Sequence, residues 1–180
     1  MPRQIALLRG INVGGHNKFP MARQRELFAA LGYRDVTVLL QTGNIVFADP
    51  GTPPEETARR IEAGIADGLG FPVPVLVRTR DELAAAVAAN PFPQAAAEPK
   101  TLHVTFLSDV PADPSPLEVL DSGAYAPDRL RLIGRELYMW CPNGVGRSKL
   151  ADTVSRTRLG VTATARNWNT VTKLLALADA

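Results

Sequence analysis

The order of secondary-structure elements predicted for the first 79 residues restricts this fold more than any other feature of the sequence. Residues 4–9 predict a buried strand, and residues 21–31 have apolar side chains at helical spacing before Gly32. Residues 35–40 and 44–48 are β-rich and flank a short turn, which predicts a hairpin. A helix over 52–69 and a strand over 73–77 follow. This strand–helix–strand–strand–helix–strand order is the ferredoxin-like split pattern.

The second part of the sequence repeats this order in part. A strand is predicted over residues 100–107, a helix over 115–120, a hairpin over 129–141, a helix over 148–158 and a brief strand over 161–165. A last helix is predicted over 167–178. We therefore predict an α+β protein of two ferredoxin-like halves, residues 1–92 and 100–180, with mixed or antiparallel sheets and helices packed on one face. The C-terminal half carries the additional helix.

Composition restricts the class of protein further. Cys141 is the single cysteine, so an internal disulfide is excluded, as is usual in a reducing cytoplasm. No apolar run approaches the roughly 20 residues that a membrane-spanning helix needs. We therefore expect a cytoplasmic protein with no membrane partner.

The net charge of +2 conceals an uneven distribution of charged residues. Residues 1–34 hold six basic groups and one acidic group, and residues 123–180 hold nine basic and four acidic groups. Residues 35–122 hold five basic and thirteen acidic groups. If the two basic ends meet in space, they form a positive face suited to an acidic partner; a simply mixed surface is the alternative.

Two predicted helix starts near the C-terminus carry basic residues. Because a helix N-terminus exposes backbone N–H groups and a partial positive charge, it favours anions. The sequence PNGVGRSKL leads into the first start and TARNWNT into the second. The candidate anion-binding residues of this region are Arg147, Ser148, Lys149, Arg166, Asn167, Asn169 and Lys173.

Two segments of the N-terminal half supply further candidates. The first strand leads directly into a glycine-bearing polar loop, where the backbone can approach a ligand closely or simply form a turn. The turn at 41–44 has Asn and Gly for its geometry, whereas its other two residues are not needed for that purpose. The candidates here are Arg9, Asn12, Lys18, Gln41, Thr42 and Asn44.

Four ordered motifs resemble a known family. They are RGINVGG at residues 9–15, QTGNIVF at 41–47, GRSKL at 146–150 and ATARNWNTV at 163–171. Together they resemble the bacterial family catalogued as domain of unknown function 1697, with Thr42 where the family commonly has Ser and ATA where it often has threonines. The resemblance implies two ferredoxin-like halves and no established activity.

The sequence contains no convincing catalytic or metal-binding cluster. His16 and His103 have no partners at metal-ligand spacing, and we expect no metal and no cofactor. Cys141 beside Trp140 is typical of a packed apolar residue. Tyr138 and Trp140 share one face of a strand, where they either stack on bases or pack inside the protein.

Three hypotheses about function follow. The first is a binding protein whose basic cleft holds the phosphate groups of a nucleotide or nucleic acid. The second is an enzyme acting on a small phosphorylated or carboxylated metabolite, with Lys18, Lys149 or Lys173 as acid–base candidates. The third is a structural or partner-binding module in which the polar motifs hold the fold together. The first hypothesis predicts that the glycine-bearing loop and both helix starts face one shared cleft.

Overall fold

Two four-stranded antiparallel sheets, each with its own helices, organise the chain in a computed structural model that describes residues 1–180. One compact unit comprises Met1–Ala85 together with Lys173–Ala180, and the other comprises Ala86–Thr172. The predicted boundaries at residues 92 and 100 stay a prediction.

The first sheet has the strand order β2-β3-β1-β4, and every neighbouring pair is antiparallel. This permutation of a strand–helix–strand–strand–helix–strand chain is the predicted ferredoxin-like arrangement. In chain order the elements are β1 (Arg3–Leu8), α1 (Met21–Ala30), β2 (Thr37–Val38), β3 (Asn44–Ala48), α2 (Pro54–Leu69), β4 (Val75–Thr79) and α3 (Arg80–Ala88).

Helices α1 and α2 cover one face of the first sheet. Phe28 of α1 and Ile61 of α2 belong to one buried apolar cluster with Ala6 and Phe47 of the sheet. Helix α2 begins with a proline and two glutamates in its first turn and ends at Gly70, whose φ of 79° is the left-handed conformation of a helix C-cap. Its bounds therefore follow closely from its sequence.

The second sheet has the order β6-β7-β5-β8, which is the same permutation. All of its neighbouring strands are also antiparallel. The segments are two 3-10 helices (Pro93–Ala97 and Pro99–Thr101), β5 (Leu102–Leu107), α4 (Ser115–Leu120), β6 (Arg129–Ile133), β7 (Glu136–Trp140), a 3-10 helix (Val145–Arg147), α5 (Lys149–Arg156), β8 (Ala163–Asn167) and α6 (Trp168–Asp179).

Three local expectations differ from the structure. Strand β2 has two residues, not the six predicted over 35–40, and Asp35 has a φ of 53° that lies outside extended geometry. Two 3-10 helices occupy most of residues 93–101, the segment where the two predicted halves meet and for which no helix or strand is predicted. Strand β8 extends to Asn167 because β5 provides a pairing partner for each of its residues. None of the helices is long and apolar enough to cross a membrane.

Candidate functional site

Two loops of the first unit lie side by side at one end of its sheet. We call residues 9–20 the Asn12 loop and residues 39–43 the Leu40 loop. The Asn12 loop follows β1, and the Leu40 loop joins β2 to β3. Leu8 N–H donates to the Gly43 carbonyl at 2.9 Å, and Arg9 N–H donates to the Pro74 carbonyl at 3.0 Å. Both loops are therefore anchored where β1 ends, and together they form the loop site.

Asn12 holds the Asn12 loop closed and ties it to the Leu40 loop. Its Nδ2 donates to the Phe19 carbonyl at 2.9 Å and to the Gln41 carbonyl at 2.6 Å. Its Oδ1 accepts from Phe19 N–H at 2.7 Å. A second amide, Asn17 Nδ2, donates to the Gly10 carbonyl at 3.1 Å. The Asn12 side chain is thus bound within the protein, so its predicted role toward a ligand stays a prediction.

Gln24 is a buried amide at the base of both loops. It lies in α1, and its Nε2 donates to the Phe19 carbonyl at 2.8 Å and to the Gln41 carbonyl at 3.3 Å. The residue is fully buried, and its Oε1 has no hydrogen-bond partner. Because an unsatisfied buried acceptor costs free energy, this Oε1 lowers stability, whereas the Nε2 of the same side chain ties the two loops to α1.

The loop site concentrates residues in left-handed backbone geometry. Of the four non-glycine residues with positive φ, three belong to these loops: Asn12 at 55°, Asn17 at 51° and Leu40 at 59°. Asparagine tolerates this region, whereas a leucine there is strained. Gly43, with a φ of 92°, must be glycine because a Cβ would lie 2.5 Å from Leu8 Cβ. Strained residues of this kind concentrate at functional sites.

The exposed surface of the loop site is basic and partly apolar. Arg9 and Lys18 are exposed, and the sequence from residue 9 to residue 25 contains no acidic residue. Val13 and Leu40 are exposed by 61% and 51%, although both are aliphatic. Charge and apolar surface therefore occur together on two loops that the Asn12–Gln41 hydrogen bond joins.

The three candidates of the 41–44 turn have different environments. Gln41 and Thr42 are exposed, as a ligand-facing role requires. Asn44 is fully buried, and its Nδ2 donates at 2.9 Å to the Leu39 carbonyl and to Thr42 Oγ1. Asn44 stabilises the turn from inside and presents no surface to solvent.

In the second unit, the start of α5 is closed by the protein's own side chains. Ser148 Oγ accepts from Ala151 N–H at 2.9 Å as the N-cap and donates to Asp128 Oδ2 at 2.7 Å. Arg147 and Lys149 flank it and are exposed. Burial raises the pKa of the nearby Cys141 thiol, and a hydrogen bond with Ser148 lowers it in part. This thiol is fully buried, as expected for a packed apolar residue.

Arg166 does not lie at a helix start as predicted. It belongs to β8 and is 8% exposed, and its Nη1 donates to Thr164 Oγ1 at 2.7 Å and to the Ala165 carbonyl at 2.9 Å. Burial lowers its pKa to about 10. The alternation of ATARN residues in and out of the sheet buries this side chain, so the predicted placement is wrong.

The side chain of Asn167 caps the start of α6. Asn167 Oδ1 accepts from Thr170 N–H at 2.9 Å. Asn169 is half-buried in the first turn, and Lys173 is exposed one turn later. The binding roles predicted for these three residues stay predictions.

The stacking hypothesis for Tyr138 and Trp140 is wrong for the tyrosine. Tyr138 is fully buried, and its hydroxyl donates to the Ala86 carbonyl at 2.5 Å. Burial raises the pKa of Tyr138 far above its ordinary value. Trp140 is half-buried against Phe92, with 5.9 Å between ring centroids. Tyr138 is packed inside the protein, which is the alternative that the sequence leaves open, whereas Trp140 is only partly covered.

The structure brings together only some of the predicted residues. Within the first unit the loop site holds Arg9, Asn12, Lys18, Gln41 and Thr42, and the buried Asn44 adjoins it as the first residue of β3. Shared placement of this group with the candidates of the second unit stays a prediction. A separate cavity of about 530 Å³ in the first unit contains none of the candidates and is lined by Met1, Pro2, Arg3, Asp49, Thr79, Arg80, Asp81, Ala178 and Asp179.

The sequence analysis does not identify two residues of the loop site, Val13 and Leu40, or Gln24 of α1 beneath it. Val13 and Leu40 are aliphatic, and no local sequence pattern distinguishes an exposed aliphatic residue of a loop from a buried one. Gln24 has a weak signal, because it precedes the apolar stripe of α1 by one helical turn and so shares its buried face.

No group of three or more His, Cys, Asp or Glu side chains in the structure could hold a metal ion.

Comparisons with known proteins show the fold and the family. No curated protein matches the sequence. The structure of the conserved bacterial protein SP0830 from Streptococcus pneumoniae superposes with a TM-score of 0.80 at 19% identity, over 98% of each chain. At that identity the likeness shows the fold alone. A family model matches residues 1–138, and the chain therefore belongs to the family described as Protein of unknown function (DUF1697).

Proposed function

We propose that this protein binds the phosphate groups of a ligand at the loop site of the first unit. The observation that carries the proposal is the combination of two exposed cations, Arg9 and Lys18, with a loop backbone that the protein's own amides hold in place. Phosphate oxygens accept strong charge-assisted hydrogen bonds from such cations. The absence of acidic residues from 9 to 25 leaves their charge uncompensated within this segment.

Preorganisation of the loop supports binding. Asn12 contributes three hydrogen bonds and Asn17 a fourth, so the loop has little freedom left to lose when a ligand arrives. A site that is ordered in advance binds more tightly, because the ordering entropy does not reduce the binding free energy.

The start of α1 adds a favourable electrostatic environment. Helix α1 begins at Met21 with no side-chain cap at Pro20 and no acidic residue in its first turn. Its partial positive charge therefore adds to that of Lys18, three residues earlier. Helix α5 differs, because Ser148 and Asp128 already occupy its start. The start of α1 therefore favours an anion more than the start of α5, which is one of the two helix starts that the sequence indicates.

Isothermal calorimetry with pyrophosphate tests the proposal. We expect saturable binding that weakens by about five- to tenfold in Arg9→Gln and in Lys18→Gln, which corresponds to about 1–1.4 kcal/mol for one charge-assisted contact. Arg59→Gln is the matched control, because it removes an exposed cation from α2 and lowers the net charge equally. Its affinity should stay within about twofold of the parent.

Two results would overturn the proposal. One is the absence of saturable pyrophosphate binding at low ionic strength. The other is an equal loss of affinity in Arg59→Gln, which would mean that net charge alone attracts the anion. Absence of binding would favour the third hypothesis, a structural module, in agreement with the intrachain bonds of Asn12, Ser148 and Asn167. Turnover of a phosphorylated or carboxylated metabolite would favour the second hypothesis, in which the protein is an enzyme.

A further inference from the structure

The loop site presents an apolar surface beside its cations. Val13 follows Asn12 in the chain and Leu40 precedes Gln41, so the 2.6 Å bond from Asn12 Nδ2 to the Gln41 carbonyl places their backbones close together. Val13 and Leu40 are exposed by 61% and 51%, so the loop site presents an apolar surface next to its two cations. A ligand with phosphate groups alone would make no use of this surface.

Of the two exposed aliphatic residues, Leu40 gives the stronger evidence. Its φ of 59° is a conformation in which glycine or asparagine is favoured, and its side chain gains little by burial because half of it is in water. Neither local conformational preference nor core packing therefore explains a leucine here. Its exposed apolar surface is available for contact with a ligand.

We propose that the ligand is a nucleotide, with its phosphates on Arg9 and Lys18 and its base against Val13 and Leu40. This inference rests on the proposed function. Apolar side chains can cover the face of a base, as aromatic ones do. The exposed Gln41 lies next to Leu40 and supplies an amide for the edge of a base, a group that pairs well with adenine.

Other phosphate-bearing ligands fit the same surface less well. Proteins that bind single-stranded nucleic acid stack bases on exposed aromatic rings along a basic groove. The exposed large apolar residues of this protein are all aliphatic: Met1, Val13, Leu40, Val110, Val119 and Ile133. Sugar phosphates offer no flat apolar face for the aliphatic pair. Two cations beside two aliphatic side chains match one small ligand that has both chemistries.

Calorimetry with ADP, pyrophosphate and adenosine tests this inference. We expect ADP to bind at least about tenfold more tightly than pyrophosphate, as burial of apolar surface beside an anion site requires. Leu40→Asn and Val13→Ser should lower ADP affinity toward that of pyrophosphate while leaving pyrophosphate affinity unchanged. Val110→Ser is the matched control, because Val110 is 53% exposed in a loop of the second unit. Its ADP affinity should equal that of the parent.

The design of Leu40→Asn separates binding from folding. Asparagine tolerates the left-handed conformation, so the variant should melt within about 2 °C of the parent. Equal affinities for ADP and pyrophosphate would overturn the proposal that the ligand is a nucleotide, while the proposal of phosphate binding would stand. Failure of both ligands would overturn both proposals. The nucleotide proposal would also be overturned if oligonucleotides or anionic phospholipid vesicles bound more tightly than ADP. That result would assign the surface to another class of ligand.

Discussion

Replacing Asn12 with alanine separates a structural from a ligand-binding role at the loop site. The variant loses three hydrogen bonds, two donated by Nδ2 and one accepted by Oδ1. The Phe19 and Gln41 carbonyls keep Gln24 Nε2 as a partner, whereas Phe19 N–H loses the Asn12 oxygen. We therefore expect the free energy of unfolding to fall by about 2 kcal/mol through the lost hydrogen bonds. It should fall by a further amount of about 1 kcal/mol because alanine is strained at a φ of 55°.

This total of about 3 kcal/mol is large enough to measure. For a chain of 180 residues it corresponds to a decrease in Tm of about 6–12 °C. Urea unfolding followed by far-UV circular dichroism gives the free-energy change, and hydrogen exchange at the Phe19 amide reports the loop itself. Asn12→Gly is the control, because glycine accepts the positive φ and should be about 1 kcal/mol more stable than the alanine variant.

One combination of results would refute the structural role of Asn12. If Asn12→Ala unfolds within about 0.5 kcal/mol of the parent and the Phe19 amide stays protected, the three hydrogen bonds do not stabilise the loop. Loss of pyrophosphate binding in that stable variant would then assign Asn12 directly to the ligand, as the sequence predicts.

Three further predictions concern the second unit and α6. Asn167→Ala should cost about 1 kcal/mol in thermal melts through the lost cap, whereas Asn169→Ala should leave stability nearly unchanged and weaken ligand binding. Tyr138→Phe should cost about 1–2 kcal/mol in urea unfolding, because the buried Ala86 carbonyl loses its hydroxyl donor. Burial lowers the pKa of His103 below its ordinary 6.5, so the unfolded state binds more protons and stability should fall as pH drops through that value. Urea midpoints between about pH 8 and pH 5 should show a smaller decrease in His103→Gln, and an unchanged slope would contradict this.

Local patterns were sufficient to predict most of the fold. Helix α2 has signals at both ends, and the hairpin of β6 and β7 has Gly134 and Arg135 between two apolar strands. The prediction over 161–165 places strand β8 two residues too early, because its position depends on pairing with β5, a segment about 60 residues earlier in the sequence. Such pairing leaves no signature in the local sequence.

The candidate site was less predictable, because the side chains that bind ligands also close loops. Polar residues beside glycines or at a helix start are predicted to bind a ligand, among them Asn12, Asn44 and Ser148. Each of these three makes hydrogen bonds within its own unit. Arg9 and Lys18 were selected by charge alone, and both are exposed. Charge on a glycine-bearing loop therefore predicted exposure better than amide or hydroxyl chemistry did.

The assignment of Lys173–Ala180 to the first unit has a consequence for how the protein is made. A ribosome completes β1 to β4 long before it reaches these eight residues, and the whole second unit is synthesised in between. Arg80 Nε donates to Asp179 Oδ1 at 2.6 Å, a contact that cannot form until then. The last turns of α6 and the Arg80–Asp179 ion pair are therefore the final contacts that the first unit makes during synthesis, after all residues of the second unit have been added.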